Sequence, residues 1–192
     1  DRIKSIVANN YGTDNLYYAL CLQNFSFYYH VVGDNNIALH YTEEAAKIYK
    51  KVYGATSEQY GQILGSLGQL HLALDKTNEA YKLLSESASI VTTAGTSPAY
   101  SCYLNTELAI AALRLGQVDE GLDYLNMASS LTDTLYGICS MEHAQLHLAI
   151  GASMLEYDKG KYNAFDHFLD AAGTFLKVGQ TSNPYYIQSL IY

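Results

Sequence analysis

A fixed repeat period constrains this 192-residue chain more than any other feature of its sequence. Glycines stand at positions 12, 54, 95, 137 and 179, so successive glycines are 42, 41, 42 and 42 residues apart. A period of this length is typical of proteins in which one supersecondary unit is stacked several times. The chain is therefore predicted to be an array of repeats, each of which completes its core against its neighbours.

Small residues recur at the same period, in three sets. The first set falls at the centre of the first predicted helix of each repeat, the second falls early in the second helix, and the third follows seven residues later. Seven residues make two helical turns, so the second and third sets lie on one face of the same helix. Small side chains there allow two helices to approach closely. The three sets are Ser26, Gly68, Ala109 and Ala152; Ala38, Ala80, Gly121 and Ala164; and Ala45, Ser87, Ala128 and Ala171.

These registers predict an all-α chain of helix-turn-helix repeats. Residues 1–10 are interpreted as the end of a preceding repeat's second helix, and both termini are predicted to lie inside a repeat. The predicted repeats cover 11–52, 53–94, 95–135 and 136–178, followed by the truncated first helix of a fifth repeat at 179–192. Their paired helices are predicted at 15–32 and 36–52, 57–74 and 78–93, 98–115 and 119–135, and 140–157 and 161–178. N-caps are expected at Ser57, Ser97, Ser140 and Asn183, and in second helices at Thr77 or Asn78 and at Asp119.

Composition and charge argue against several classes of partner. Hydrophobic residues make up 49% of the chain and charged residues 16%, which favours a folded protein over a disordered one. A net charge of −8 with only 11 Lys and Arg argues against nucleic acid and against anionic membranes, since both attract basic surfaces. No apolar run is long enough to span a bilayer. Three widely spaced cysteines without a CxxC pair favour a reducing compartment, so a cytoplasmic location is expected.

The candidates for chemistry are few. The segment HAQLH places His143 and His147 four residues apart in a predicted helix, a spacing at which two histidines can bind one metal ion. Ala144 stands where a zincin carries glutamate and no third ligand is evident, so both histidines are predicted to be structural, one at the surface and one near an interhelical groove. Cys139 lies near His143, but without an orienting third group such a pair is a weak catalytic pattern. No metal, cofactor or catalytic residue is predicted, and the chain is not expected to be an enzyme.

The small-residue pattern, the helix-turn-helix unit and the turns GDNNIA at Gly33 and GQVDEG at Gly116 resemble the tetratricopeptide repeat. The common form of that repeat has 34 residues. The longer period here, with YG-x-x-S-x-x-Y at 53–60, resembles the variant of kinesin light chain, and similar arrays flank caspase-like peptidase domains in bacterial proteins. The resemblance implies a right-handed α-solenoid whose concave face, lined by the first helices, binds peptides or partner proteins. The family's usual aromatic position in the first helix is filled here by Leu22, Leu64, Asn105 and Leu148.

Candidate binding residues follow from that resemblance, because they surround each central small residue on the exposed side of the first helix. Their amides could bond the backbone of an extended peptide, and their aromatic rings could form pockets. One extra residue leaves the choice open in the fourth repeat, where Ser153 and Glu156 are the nearest equivalents. The candidates are Gln23, Asn24, Phe27 and His30 in the first repeat, Ser66 and Gln69 in the second, and Tyr103, Thr106, Glu107, Ile110 and Arg114 in the third.

The main hypothesis is a non-catalytic scaffold that binds a protein or an extended peptide. Arg114 is the only Lys or Arg in any complete first helix, too few for the basic cluster with which tetratricopeptide domains clamp a chaperone's C-terminal carboxylates. An alternative is a regulatory or spacer arm of a larger enzyme, for example one with a peptidase domain elsewhere. Self-association through exposed repeat ends is a further possibility, because apolar residues lie near both ends. These residues are Ile3, Ile6, Leu190 and Ile191.

Overall fold

The structure, a computed structural model, describes residues 2–157 and 164–191, and every regular element in these ranges is an α-helix. The helices are α1 (Arg2–Tyr11), α2 (Leu16–Val31), α3 (Asn35–Tyr53), α4 (Glu58–Ala73), α5 (Thr77–Ala94), α6 (Pro98–Arg114), α7 (Val118–Tyr136), α8 (Met141–Tyr157), α9 (Ala164–Lys177) and α10 (Pro184–Ile191). The all-α prediction is confirmed. Each predicted end of a paired helix that falls on a described residue lies within one residue of the observed end, whereas the predicted start at 161 lies outside the described residues.

The helices form two compact units, residues 1–96 and residues 97–192. In the first unit α2 pairs with α3 and α4 with α5, while α3 packs against α4 and α1 packs against α2. In the second unit α6 pairs with α7 and α8 with α9, while α7 packs against α8 and α10 against α9. Each unit therefore contains two helical hairpins joined through the second helix of one and the first helix of the next.

Side-chain caps begin the first helices of the hairpins, whereas α3, α5 and α7 begin without one. The hydroxyl oxygen of Ser57 accepts a hydrogen bond from the backbone N–H of Tyr60, and Ser97 and Ser140 cap α6 and α8 in the same way. At the start of α10 the amide oxygen of Asn183 accepts from the backbone N–H of Tyr185. The expectation of caps at Thr77, Asn78 or Asp119 is wrong. Helices α5 and α7 begin after Lys76 and Gln117, whose side chains make no capping bond. The turns before these helices are closed by backbone hydrogen bonds from the N–H of Lys76 to the carbonyl of His71 and from the N–H of Gln117 to the carbonyl of Ala112.

Close contact within each hairpin explains the repeated small residues. The third set, Ala45, Ser87, Ala128 and Ala171, has no exposed surface. A Cβ atom added to Gly68 would lie 2.6 Å from Cγ of Leu84, and one added to Gly121 would lie 2.6 Å from Cγ of Leu113. Since carbon atoms in contact stand about 3.5–4.0 Å apart, even one methyl group there would force its neighbour to move.

In the α8–α9 hairpin the packed position belongs to Gly151, so the prediction of Ala152 is wrong. Gly151 is buried whereas Ala152 is half-buried, and a Cβ on Gly151 would lie 2.8 Å from Cε1 of Phe168. Gly68 precedes its contact Leu84 by 16 residues, whereas Gly151 precedes Phe168 by 17. The extra residue of this repeat therefore lies after Gly151, and it shifts the register of α9 rather than that of α8.

Two buried serines of the first unit satisfy their hydroxyl groups between helices. The Oγ of Ser26 lies 2.5 Å from Oγ1 of Thr42, which itself donates to the carbonyl of Ala38 at 3.0 Å. Ser87 donates across the next hairpin to the carbonyl oxygen of Gly61 at 2.7 Å. Because buried polar groups without partners are costly, these bonds allow serine at positions where other hairpins carry alanine or glycine.

Replacing Gly54 with alanine is expected to lower the free energy of unfolding by about 1–3 kcal/mol, because its backbone conformation is open almost only to glycine. Gly54 ends α3 with φ 89° and ψ 162°, and nothing lies within 4 Å of a Cβ added there. The loss would therefore come from backbone strain alone. Urea unfolding of the full chain, followed by circular dichroism, measures it. A Gly54→Ala variant as stable as the wild type would contradict this explanation of the recurring glycines.

Candidate functional site

A cleft between the first helices of the two hairpins of the first unit contains all six candidates from the first two repeats. The first-unit cleft has a volume of about 320 Å³. Its floor includes the buried residues Thr42 and Ile63, each 1% exposed. Sequence reasoning missed Thr42, because this residue belongs to a second helix. The lining residues are Gln23, Asn24, Ser26, Phe27, His30, Thr42, Ile63, Ser66, Gln69 and Leu70.

Two of the polar side chains in the first-unit cleft are held in place by residues of α3. The hydroxyl of Tyr49, a buried residue of α3, donates to Oε1 of Gln23 at 2.7 Å. Nδ1 of His30 lies 2.7 Å from Oδ1 of Asn35, the first residue of α3. A side chain that is already fixed loses less conformational entropy when a partner binds. These contacts preorganise the cleft on one wall.

The chemistry of the first-unit cleft is amide and aromatic. Asn24 is exposed, and the ring of Phe27 stands 70% exposed beside it. Apart from His30, none of the ten lining residues can carry a charge. Amide groups donate and accept at once, as peptide groups do, while an exposed ring offers apolar area with few rotatable bonds. The arrangement suits a neutral, extended polypeptide segment better than a charged tail.

Of the five candidates of the third repeat, two line a cleft and three lie outside it. Tyr103 and Thr106 line a cleft of about 340 Å³ in the second unit, together with residues of α7 and α8 such as Gln145. Burial raises the pKa of Tyr103, and the nearby charge of Glu107 raises it further, so the phenol stays neutral and can donate a hydrogen bond. Glu107 and Ile110 are half-buried outside the lining of this cleft, and Arg114 is exposed outside it. The structure therefore does not bring all five third-repeat candidates into one site.

A second, apolar cleft in the first unit lies between α1 and α2, with a volume of about 550 Å³. Ile3, Tyr17 and Leu20 line it and are at least half exposed. At the other end of the described chain, Leu190 and Ile191 are 61% and 77% exposed. Ile3, Leu190 and Ile191 are three of the four residues on which the expectation of self-association was based, and self-association stays a prediction.

The interpretation of the HAQLH segment needs correction, because neither histidine lies at the surface and a carboxylate from another helix stands beside both. His143 is 5% exposed and His147 is half-buried. Asp170, from the next helix, places Oδ2 2.8 Å from Nε2 of His143 and 2.9 Å from Nδ1 of His147. A sequence signal for this partner existed: His167 and Asp170 are spaced three apart on α9 and so share one face of that helix.

Two further observations bear on the setting of the protein. All three cysteines are free, with Cys21 buried, Cys102 half-buried and Cys139 exposed. Among the helices of the described residues, none is both long and apolar enough to cross a bilayer.

Comparison with known proteins finds likeness in structure only. No family model matches the chain, and no curated protein matches it in sequence. A crystal structure of nearly identical TPR-like repeats of a putative kinesin light chain from Podosopora anserina, in a form with one substitution, has a TM-score of 0.75 at 15% identity. That match covers 93% of this chain and 84% of the other.

Two more solved structures extend the comparison. BtubC (BKLC) from P. vanneervenii matches with a TM-score of 0.66 at 12% identity, covering 99% of this chain and 82% of the other. YrrB, described as a TPR protein with an unusual peptide-binding site, matches with a TM-score of 0.51 at 16% identity, covering 100% of this chain and 90% of the other. These likenesses confirm the fold that the repeat pattern predicts.

Proposed function

We propose that this chain, an array of tetratricopeptide-like helical hairpins, is a non-catalytic scaffold whose first-unit cleft binds an extended segment of a partner protein. The observation that carries the proposal is the convergence of Gln23, Asn24, Phe27, His30, Ser66 and Gln69 on one cleft. Helices α2 and α4, from separate hairpins, supply these six side chains. YrrB, which has the same fold, is described as having a peptide-binding site.

The bound segment is expected to be uncharged where it contacts the cleft. Asn24 and Gln69 offer amide groups that can pair with peptide N–H and C=O groups, and Phe27 offers a ring against which an apolar side chain can pack. No Lys, Arg, Asp or Glu lines the cleft to pair with a charged terminus. A chaperone carboxylate clamp does not fit this lining, because such a clamp needs several cationic groups.

The double variant Phe27→Ala, Asn24→Ala is expected to weaken peptide binding at least about tenfold, a loss equivalent to about 1.4 kcal/mol. Peptides would first be selected on the wild-type chain from a random display library, and their affinities then measured by fluorescence anisotropy. Since few residues carry most of the binding energy at an interface, the exposed ring is expected to dominate the loss.

A matched control separates this effect from general surface change. Phe165 is 58% exposed on α9 and Asn78 is exposed on α5, and neither lines the first-unit cleft. The double variant Phe165→Ala, Asn78→Ala should bind the selected peptides as the wild type does. Equal affinity of the selected peptides for the Phe27→Ala, Asn24→Ala variant, or a library that yields no specific peptide, would overturn the proposal.

A further inference from the structure

Five ionisable side chains from three helices meet in the second unit. Asp133 comes from α7, His143 and His147 from α8, and His167 and Asp170 from α9. The rings of His143 and His147 stack with centroids 4.1 Å apart, and the centroids of His147 and His167 are 5.1 Å apart. Of the five, His143 is buried, at 5% exposure, and carboxylates flank its ring on both sides.

The ligand atoms of His143, His147 and Asp170 all lie within 4.8 Å of one another, and His167 stands beside them. Oδ2 of Asp170 lies 2.8 Å from Nε2 of His143 and 2.9 Å from Nδ1 of His147. Nδ1 of His167 lies 3.4 Å from Nδ1 of His147. A tetrahedral zinc ion with bonds of about 2.0–2.2 Å would hold its ligand atoms about 3.3–3.6 Å apart.

The nitrogens that point away from this centre have partners of their own. Nδ1 of His143 lies 2.6 Å from Oδ1 of Asp133, and Nε2 of His147 lies 3.2 Å from Oγ of Ser129. In metal sites a histidine almost always donates its other N–H to a carboxylate or another acceptor, which fixes the ring and its tautomer. The cluster thus has both the inner ligands and the outer groups that orient them.

We propose that His143, His147 and Asp170 bind one divalent transition-metal ion, with Asp133 and Ser129 as the outer groups that position the two histidines of α8. Two imidazoles and one carboxylate form a ligand set that zinc accepts with a fourth position left open, whereas magnesium and calcium prefer oxygen ligands in larger numbers. The ion would join α8 to α9 within one hairpin. Asp170, whose side chain is 47% exposed, opens the site to solvent.

Histidine and carboxylate ligands must be deprotonated to bind a metal ion, so acid is expected to weaken binding.

The untagged 192-residue chain, freed of metal by a chelator, is expected to bind one Zn²⁺ per chain in calorimetric titration with zinc chloride. Asp170→Asn should weaken binding at least about tenfold, and His147→Ala more strongly, because each removes an inner ligand. Asp133→Asn should weaken it about 10–100-fold, the usual effect of losing an outer carboxylate. Zinc should raise the melting temperature of the wild type but not that of Asp170→Asn.

The control is His40→Ala, which removes an exposed histidine that pairs with a single carboxylate on its own helix. His40 Nε2 lies 3.5 Å from Glu44 Oε1 on the exposed face of α3. This variant should bind zinc as the wild type does. Because Asp170 is half exposed, Asp170→Asn should keep the wild-type circular dichroism spectrum, so its weaker binding would not reflect unfolding.

A second readout identifies the ligands directly. Co²⁺ in a tetrahedral site absorbs strongly in the visible range, so titration of the metal-free chain with cobalt chloride should give a visible spectrum that is lost in His147→Ala. Absence of Zn²⁺ binding would overturn the proposal. So would binding of equal strength in the wild type, Asp170→Asn and His147→Ala, since the ion would then lie elsewhere.

Discussion

Replacing Phe175 with alanine is expected to lower the free energy of unfolding by about 3–5 kcal/mol, the usual cost of deleting a buried phenylalanine. Phe175 has no exposed surface and packs in a core cluster with Ala144, Leu148 and Phe168. Its ring also meets that of Tyr186 edge to face, with centroids 6.5 Å apart. The deletion would leave a cavity where α9 packs against α8 and α10.

Phe165, on the same helix as Phe175, provides the matched control. It is 58% exposed, so Phe165→Ala should change stability by no more than about 0.5 kcal/mol. Urea unfolding of the full chain, followed by circular dichroism, measures both variants under identical conditions. If the two variants lost equal stability, the assignment of Phe175 to the core and Phe165 to the surface would be wrong.

Replacing Leu84 with alanine is expected to lower the free energy of unfolding by about 2–5 kcal/mol, because Leu84 is fully buried and fills the space beside Gly68. Gly68→Ala alone should lower it by about 1–3 kcal/mol, since the new methyl group would overlap Leu84. In the double variant the alanine at 68 would occupy part of the space vacated by Leu84. The free energy of unfolding of the double variant should therefore fall by less than the sum of the two single losses, and the difference should be about 0.5–3 kcal/mol.

A Gly173→Ala variant separates the packing effect at Gly68 from the higher helix propensity of alanine. It lies within α9, and nothing stands within 4 Å of a Cβ added there. Gly173→Ala should raise the free energy of unfolding by about 0.5–1 kcal/mol through backbone entropy, and it should add to Leu84→Ala without coupling. If the losses from Gly68→Ala and Leu84→Ala were also additive, close contact with Leu84 would not be the reason why position 68 carries glycine.

Much of the fold could be predicted because local rules decide it. The glycine period and the N-cap serines place helix ends within one residue, since backbone conformation and capping depend on neighbours in sequence. The small residues of each hairpin were also predictable, because period and face follow from helix geometry. The exception is the α8–α9 hairpin, where Gly151 and not Ala152 is the residue in close contact. The extra residue of this repeat follows Gly151 along the chain. Sequence alone does not show on which side of that position an insertion lies.

The candidate sites divide in the same way. Gln23, Asn24 and Phe27 could be chosen from sequence because the exposed side of a first helix is a local property. The structure adds that residues of α4 converge with them, while Arg114 lies apart. The carboxylates beside His143 illustrate the opposite case. Asp133 and Asp170 are 10 and 27 residues away along the chain, and only the packing of α7 and α9 on α8 brings them to its ring.

By itself, the sequence determined the repeat period, the helix order and the positions where helices must approach closely, because each depends on residues within a few helical turns. The tertiary structure decided which side chains from different helices share a cleft or a cluster. That outcome depends on the register between packed helices, and one inserted residue changes it. The Asp133, His143, His147, His167 and Asp170 cluster exists because α7, α8 and α9 pack in one particular register.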